Sequence, residues 1–315
     1  MKLETKTIPP HLPRGGTLGV VSPASPGART ALERGLEVVR AAGFRVVLGR
    51  HVLDRRGHLA GEDADRAADL HEMFARPDVD AVLCARGGSG AIRLLPFLDW
   101  DLIRQHAKPF IGYSDITILQ LALLRCCGLP SFFGPMPASD MVHGPEPHTL
   151  EWLWRLVCEP APAGEVHDAR IAQAVTLVGG TAEGACAGGT LSLIVPTLGT
   201  PYEIETEGRV LFFEDIYESP ARIERYLMQL RLAGKLQGVA GFLIGVTPYE
   251  ATDEERARYL SFEEVFTDLL APYGRPLVYG WPLGHLRSPL TIPQGIRVRL
   301  DADRKSLTVL EPCVR

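Results

Sequence analysis

The chain has 315 residues, 33 Lys and Arg against 38 Asp and Glu, and 46% hydrophobic residues, which excludes a disordered or fibrous polymer and provides for a sizeable core. A formal net charge of −5 offers no basic field for a nucleic-acid partner. No apolar stretch approaches the ~18 residues that cross a bilayer, and the start from Met1 to Lys6 runs into Pro9-Pro10 without the apolar core of a secretion signal, so a cytoplasmic protein off the membrane is expected.

In chain order, the first half alternates short apolar runs with longer 3.6-period segments, the pattern of strands and crossover helices in a parallel α/β sheet. A strand is expected over Thr17–Ser22, then a helix on which Leu32, Leu36 and Val39 share one face and which Gly43 stops. Phe44–Leu48 is the second strand, and a charged helix over 62–75 puts Ala67, Leu70 and Phe74 on one side. Strands follow at Ala81–Cys84 and Pro109–Gly112, then a helix from Ile116 to Cys127 that Gly128 and Pro130 end.

At roughly 150 residues per domain this length implies about two domains. The segment Glu159–Gly164 (EPAPAG) has the composition of a joint, so residues 1–160 and 161–315 are taken as the two units. Beyond it, strands are expected near Ala174–Val178, Arg209–Phe213, Phe242–Gly245, Ile296–Leu300 and Ser306–Leu310. Ser219 as N-cap, Pro220 at the first position and Gly234 past the end frame a helix over 220–233.

Four segments carry candidate chemistry. In Phe110-Ile111-Gly112-Tyr113-Ser114-Asp115 a strand enters a helix through a serine, whose hydroxyl can project from the sheet edge beside the free amides of a helix start. The second glycine of G-x-S-x-G is missing, and Ser114 and Asp115 read equally as an N-cap and a first-turn acid. The turn Arg86-Gly87-Gly88-Ser89-Gly90 exposes backbone N–H groups that suit an oxyanion or a phosphate, or is simply a tight turn. A dinucleotide site is disfavoured, because the first strand-to-helix turn, Ser22-Pro23-Ala24-Ser25-Pro26-Gly27, is not G-x-G-x-x-G.

Glu214 and Asp215 end the apolar run of 209–213, where open α/β sheets place ligands, although acids there also suit the helix that follows. His285 lies in a loop framed by glycines and prolines that can hold an imidazole rigidly, or only pack it. His51, His58, His143 and His148 show no ligand spacing, so no metal site is read. Six cysteines (84, 126, 127, 158, 186 and 313) lack C-x-x-C spacing and read as buried thiols. Taken together, Ser114, Glu214 and His285 supply a nucleophile, an orienting acid and a base, two of them from the second half, which predicts a site between the two units.

The blocks ARGGSGAIRLL (85–95), KPFIGYSDIT (108–117), GGTLSLI (188–194), LFFEDIYESPARIERYLMQL (211–230) and GHLRSPLTIPQG (284–295) resemble the LD-carboxypeptidases of serine peptidase type S66, over about 16–310. The resemblance implies a Rossmann-like parallel-sheet N-terminal domain joined to a smaller β-rich α/β C-terminal domain, often in a homodimer, with no cofactor. It assigns Ser114 as nucleophile, Glu214 as orienting acid and His285 as base, with Gly88 and Asp115 as backbone oxyanion donors. The implied substrate is a small muropeptide, from which terminal D-alanine leaves by cleavage of an L,D-amide during cell-wall recycling. Arg86 is a candidate for the substrate carboxylate.

Ser89, Thr190 and Gln120 depart from the family pattern, which usually has Tyr, Asn and His at those positions, and bear on substrate preference more than on mechanism. Two alternatives stand beside this reading: a microcin-immunity-type amidase acting on aminoacyl-nucleotide analogues, and a muropeptide- or nucleotide-binding module without turnover.

Overall fold

A computed structural model describes residues 6–315. Residues 1–5, part of the stretch read as lacking a secretion signal, lie outside the described residues. The first half builds β1 (Thr17–Val21), α1 (Arg29–Ala41), β2 (Arg45–Leu48), α2 (Asp63–Ala75), β3 (Ala81–Cys84), α3 (Trp100–Gln105), β4 (Phe110–Gly112), α4 (Thr117–Cys127), β5 (Ser131–Phe133) and α5 (Pro147–Cys158). The expected helical faces are buried: Leu32, Leu36 and Val39 on α1, and Ala67, Leu70 and Phe74 on α2. Two helices of this half were not expected from sequence, the short α3 and α5, which starts on Pro147 and buries Trp152, Leu153, Leu156 and Val157.

The second half continues with β6 (Pro162–Glu165), β7 (Val175–Val178), β8 (Thr181–Thr190), α6 (Leu191–Ile194), β9 (Val210–Glu214), α7 (Pro220–Leu232), β10 (Gly241–Gly245), α8 (Asp253–Arg258), α9 (Phe262–Leu270), β11 (Leu277–Trp281), β12 (Ile292–Gln294), β13 (Arg297–Asp301) and β14 (Ser306–Pro312). Pro220 opens α7 as expected, but the Ser219 hydroxyl makes no capping hydrogen bond. Among the described residues no helix is long and apolar enough to cross a membrane.

Two sheets result. The first has the order β12-β5-β4-β3-β1-β2, in which β2, β1, β3, β4 and β5 are parallel and β12 joins antiparallel at the edge. This is the doubly wound 2-1-3-4-5 order, and its switch point lies between β1 and β3, where ligand sites open at the carboxyl ends of strands. The second sheet, β6-β14-β13-β8-β9-β10-β11-β7, has more strands than the first and is mixed. β8 joins its two characters: residues 181–185 pair antiparallel with β13, and 186–190 pair parallel with β9.

Strand parity decides which way the second sheet presents its functional end. β9 is buried on both faces, and its side chains alternate. Val210 and Phe212 enter the core shared with the first sheet, while Leu211 and Phe213 enter a second core with Ile223 and Leu227 of α7 and Phe266 of α9. Phe212 meets Phe133 of β5 with ring centroids 5.3 Å apart. Glu214 is two residues beyond Phe212 and so points to the same side, toward the carboxyl edge of the first sheet.

Candidate active site

Ser114 follows β4 after one extended residue, Tyr113, and takes a left-handed backbone with φ of +64°. A non-glycine residue in that region is strained, and among the described residues Ser114 shares it only with Tyr217 and Lys305. It is not the N-cap of α4, a position held by Ile116. Its Oγ lies 3.0 Å from His285 Nε2.

The other imidazole nitrogen, Nδ1, is 2.7 Å from Glu214 Oε2, which also accepts the His285 backbone N–H at 3.0 Å. A carboxylate can only accept, so Nδ1 carries the proton and Nε2 is left as the acceptor for the serine hydroxyl. Glu214 is fully buried, and its Oε1 accepts the Thr190 hydroxyl at 2.6 Å. Gly284, with φ of +93°, gives the carboxylate its room: a Cβ there would fall 2.3 Å from Glu214 Cγ.

Burial alone lowers the pKa of His285, but the charge of Glu214, its hydrogen bond, and the fields of Asp140 and Asp215 outweigh that and raise it above 6.5. Asp140 is a residue the sequence reading missed. It accepts the Tyr113 hydroxyl at 2.8 Å and the Met136 N–H at 2.9 Å, and burial pushes its pKa up to about 6. Tyr113 in turn packs against the imidazole with ring centroids 5.0 Å apart. No spacing signals this pair, because Tyr113 and Asp140 belong to loops after different strands. Asp215, also pushed by burial to about 6, accepts the Ser192 N–H at 2.7 Å and supports the start of α6.

The turn after β3 lies against the serine: a Cβ at Gly87 would come within 2.7 Å of Ser114 Cβ. Among the described residues, the backbone N–H groups of Gly88 and Asp115 donate to no protein acceptor. The Asp115 side chain faces inward, accepting the Ala91 N–H at 2.7 Å, and burial raises its pKa. Arg86 makes no ion pair among the described residues. Its Nη1 reaches the Pro26 carbonyl at 3.5 Å and its Nε is buried without a partner.

Two of the three departures from the family pattern lie beside the proposed triad segments. Thr190 donates to Glu214, and Gln120 is buried with its Nε2 on the Gly112 carbonyl at 3.0 Å, so both act on the geometry behind the site. Ser89 is exposed, and its N–H donates to Ser25 Oγ at 3.0 Å.

His51, set aside on spacing, lies with Asp54 and Asp65 in a partly exposed trio whose ligand-type atoms fall within 4.8 Å of one another. Both of its nitrogens already face carboxylates, at 2.8 and 3.9 Å. The six cysteines are free thiols, five of them buried, and burial raises the pKa of Cys158 to about 11 and of Cys313 to about 12, away from thiolate chemistry.

Residues 18–134 match the LD-carboxypeptidase N-terminal domain and residues 183–300 the LD-carboxypeptidase C-terminal domain of peptidase family S66. The chain belongs to the LD-carboxypeptidase family. This LD-carboxypeptidase is 39% identical to the probable murein peptide carboxypeptidase of Bacillus subtilis (strain 168), across 96% of its own length and 93% of the relative's. It is 33% identical to the murein tetrapeptide carboxypeptidase of Pseudomonas aeruginosa, across 93% and 95%. A solved structure of MccF in complex with glutamyl sulfamoyl guanosine superposes with a TM-score of 0.87 at 25% identity, covering 98% of this chain and 99% of that one. The family, a serine-peptidase one, makes the molecule a carboxypeptidase-type hydrolase, and its mixed α/β two-sheet fold is that of MccF.

Proposed function

We infer that Ser114, His285 and Glu214 are the catalytic triad of a serine carboxypeptidase that releases terminal D-alanine from murein tetrapeptide. The observation that carries this reading is the continuous chain from Ser114 Oγ to His285 Nε2 at 3.0 Å and from Nδ1 to Glu214 at 2.7 Å. A serine hydroxyl is a weak nucleophile until a base takes its proton. His285 Nε2 takes it as Oγ attacks the carbonyl of the L,D-amide, and Glu214 stabilises the imidazolium and holds its tautomer. The tetrahedral oxygen is received by the Gly88 and Asp115 amides. His285 then returns the proton to the departing D-alanine amine, and water attacks the acyl-serine by the same route. Arg86, with no ion-pair partner among the described residues, pairs with the terminal carboxylate of the peptide.

The names of the two curated relatives support a murein peptide as substrate. On this reading residues 1–160 carry the nucleophile, residues 161–315 supply the acid and the base, and the enzyme works in the cytoplasm in cell-wall recycling, as a homodimer that light scattering will detect. The deciding experiment is mass spectrometry of a muropeptide mixture incubated with wild-type and Ser114→Ala protein. Loss of one alanine mass with the wild type alone is expected; no loss with either ends the proposal.

The likeness to MccF bound to an aminoacyl-nucleotide analogue supports a second reading, an amidase acting on such molecules. Aspartyl sulfamoyl adenosine offered beside the tetrapeptide separates the two by comparison of kcat/KM.

A further inference from the structure

The loop after β1, which fails as a dinucleotide motif, meets the glycine turn after β3 at the switch point of the first sheet. Ser25 makes the junction in three ways. Its backbone N–H donates to the Gly87 carbonyl at 3.3 Å, and its Oγ accepts the Ser89 N–H at 3.0 Å. It also fills the space beside Gly88, where a Cβ would fall 2.3 Å from the Ser25 Oγ.

We propose that Ser25 is a positioning residue for the oxyanion site, the brace that aims the Gly88 amide. The Gly87 carbonyl and the Gly88 N–H belong to one trans peptide unit and point in opposite directions. Anchoring that carbonyl on Ser25 turns the Gly88 N–H away from Ser25. The unit begins at Gly87, where a Cβ would fall 2.7 Å from Ser114 Cβ, so on this proposal the donor turned away from Ser25 serves the space beside the nucleophile. The following peptide unit, which carries the Ser89 N–H, is held by the Ser25 hydroxyl, so neither plane flanking Gly88 turns independently.

Such a brace is needed because adjacent glycines lack the side-chain sterics that restrict other residues to one conformation. The far end of the turn is fixed separately. Asp115 accepts the Ala91 N–H, and buried Arg66 donates to the carbonyls of Gly90 at 3.1 Å and Pro23 at 2.5 Å. Oxyanion donors act only when aligned before the charge develops. The proposal therefore rests on the reading of Ser114 as nucleophile and Gly88 as donor.

Ser25→Ala removes the acceptor oxygen and keeps the backbone N–H, while Ser25→Cys keeps the shape with a weakly accepting sulfur. With tetrapeptide as substrate and Ser114→Ala as blank, kcat of Ser25→Ala falls about tenfold, a fraction of the 10²–10³ lost with a whole donor, while KM stays within about twofold. A tripeptide boronic acid that lacks the terminal D-alanine and carries boron in place of the scissile carbonyl carbon loses affinity by the same factor, because its tetrahedral adduct uses the same amide. Ser25→Cys falls between wild type and Ser25→Ala, and carries the test if Ser25→Ala does not fold. Unchanged kcat and boronate affinity, or a loss confined to KM, overturns the brace. Absence of wild-type hydrolysis overturns the substrate reading instead, and the boronate titration, which needs no substrate, still decides the role of Ser25.

Discussion

The carboxyl edges of the two sheets hold their functional groups by opposite means. At the first, Ser114 is aimed by backbone: φ of +64° turns it out of line with β4, at a conformational cost of about 1–3 kcal/mol, and among the described residues its hydroxyl meets one partner, His285. At the second, Glu214 sits at the end of a regular strand and is fixed by partners: Thr190 on one oxygen, the His285 N–H and Nδ1 on the other. The contrast follows from what each group does in the proposed reaction. An attacking oxygen has to leave its hydrogen bond and travel to carbon, whereas an orienting carboxylate has to stay still.

The largest effect that tests this contrast is at the serine. Ser114→Ala keeps the fold and loses at least ~10³-fold in turnover; residual turnover near wild type breaks the comparison at its first term. Ser114→Gly is equally inactive but melts above Ser114→Ala, by a difference of about 1 kcal/mol, because glycine takes positive φ without strain. Equal melting temperatures for the two variants would show that the backbone stores nothing there.

Next is Gly284→Ala, whose methyl would overlap the Glu214 side chain at 2.3 Å. Displacing the carboxylate and its imidazole by a fraction of an ångström to about 1 Å costs on the order of 10²-fold in kcat/KM, read by steady-state kinetics. Thr190→Val is milder. It leaves Glu214 Oε1 buried without a donor and lowers stability by about 1–3 kcal/mol in urea unfolding, and a neutral outcome would mean that one oxygen of Glu214 needs no holding.

The smallest effect is electrostatic. In the proposed reaction His285 acts as a base only when neutral, so kcat/KM falls as pH drops through its raised pKa, with a midpoint above the ordinary 6.5. Asp140, ionised above about pH 6, contributes to that elevation, so Asp140→Asn moves the acid limb to lower pH. A limb that stays in place would remove Asp140 from the account.

The two regions also differ in how far they can be read from sequence. The parallel half shows itself because its crossover helices carry unbroken apolar repeats, as at Leu32, Leu36 and Val39. β8 does not: Thr181–Thr190 is a run of glycines, alanines and polar residues with no large apolar side chain. Backbone leading into and along β9 lies against Gly184 and Gly188, where a Cβ would fall 2.4 Å from the Gly208 carbonyl oxygen and 1.7 Å from that of Phe212, so a central strand looks like a loop. In the site, Ser114, Glu214 and His285 stand out because each ends a strand or lies in a rigid loop. Thr190 reads only as a departure from the family pattern, and Asp140 lies in no motif that the sequence singles out. Their roles arise from contacts across 24 and 27 residues of chain, which no local spacing encodes.

The strand β12 has a consequence for how the molecule comes into being. A chain emerging from the ribosome has made β1 through β5 by residue 133, yet the outer edge of β5, with Phe132 and Phe133, stays bare until residues 292–294 arrive to cover it. Open strand edges invite intermolecular pairing, so the early product is the aggregation-prone one. The β5 edge of the unit bearing the serine is thus covered only near the end of translation, after Glu214 and His285 have been made, and a chain stopped before them carries neither the covering strand nor the imidazole that meets the Ser114 hydroxyl.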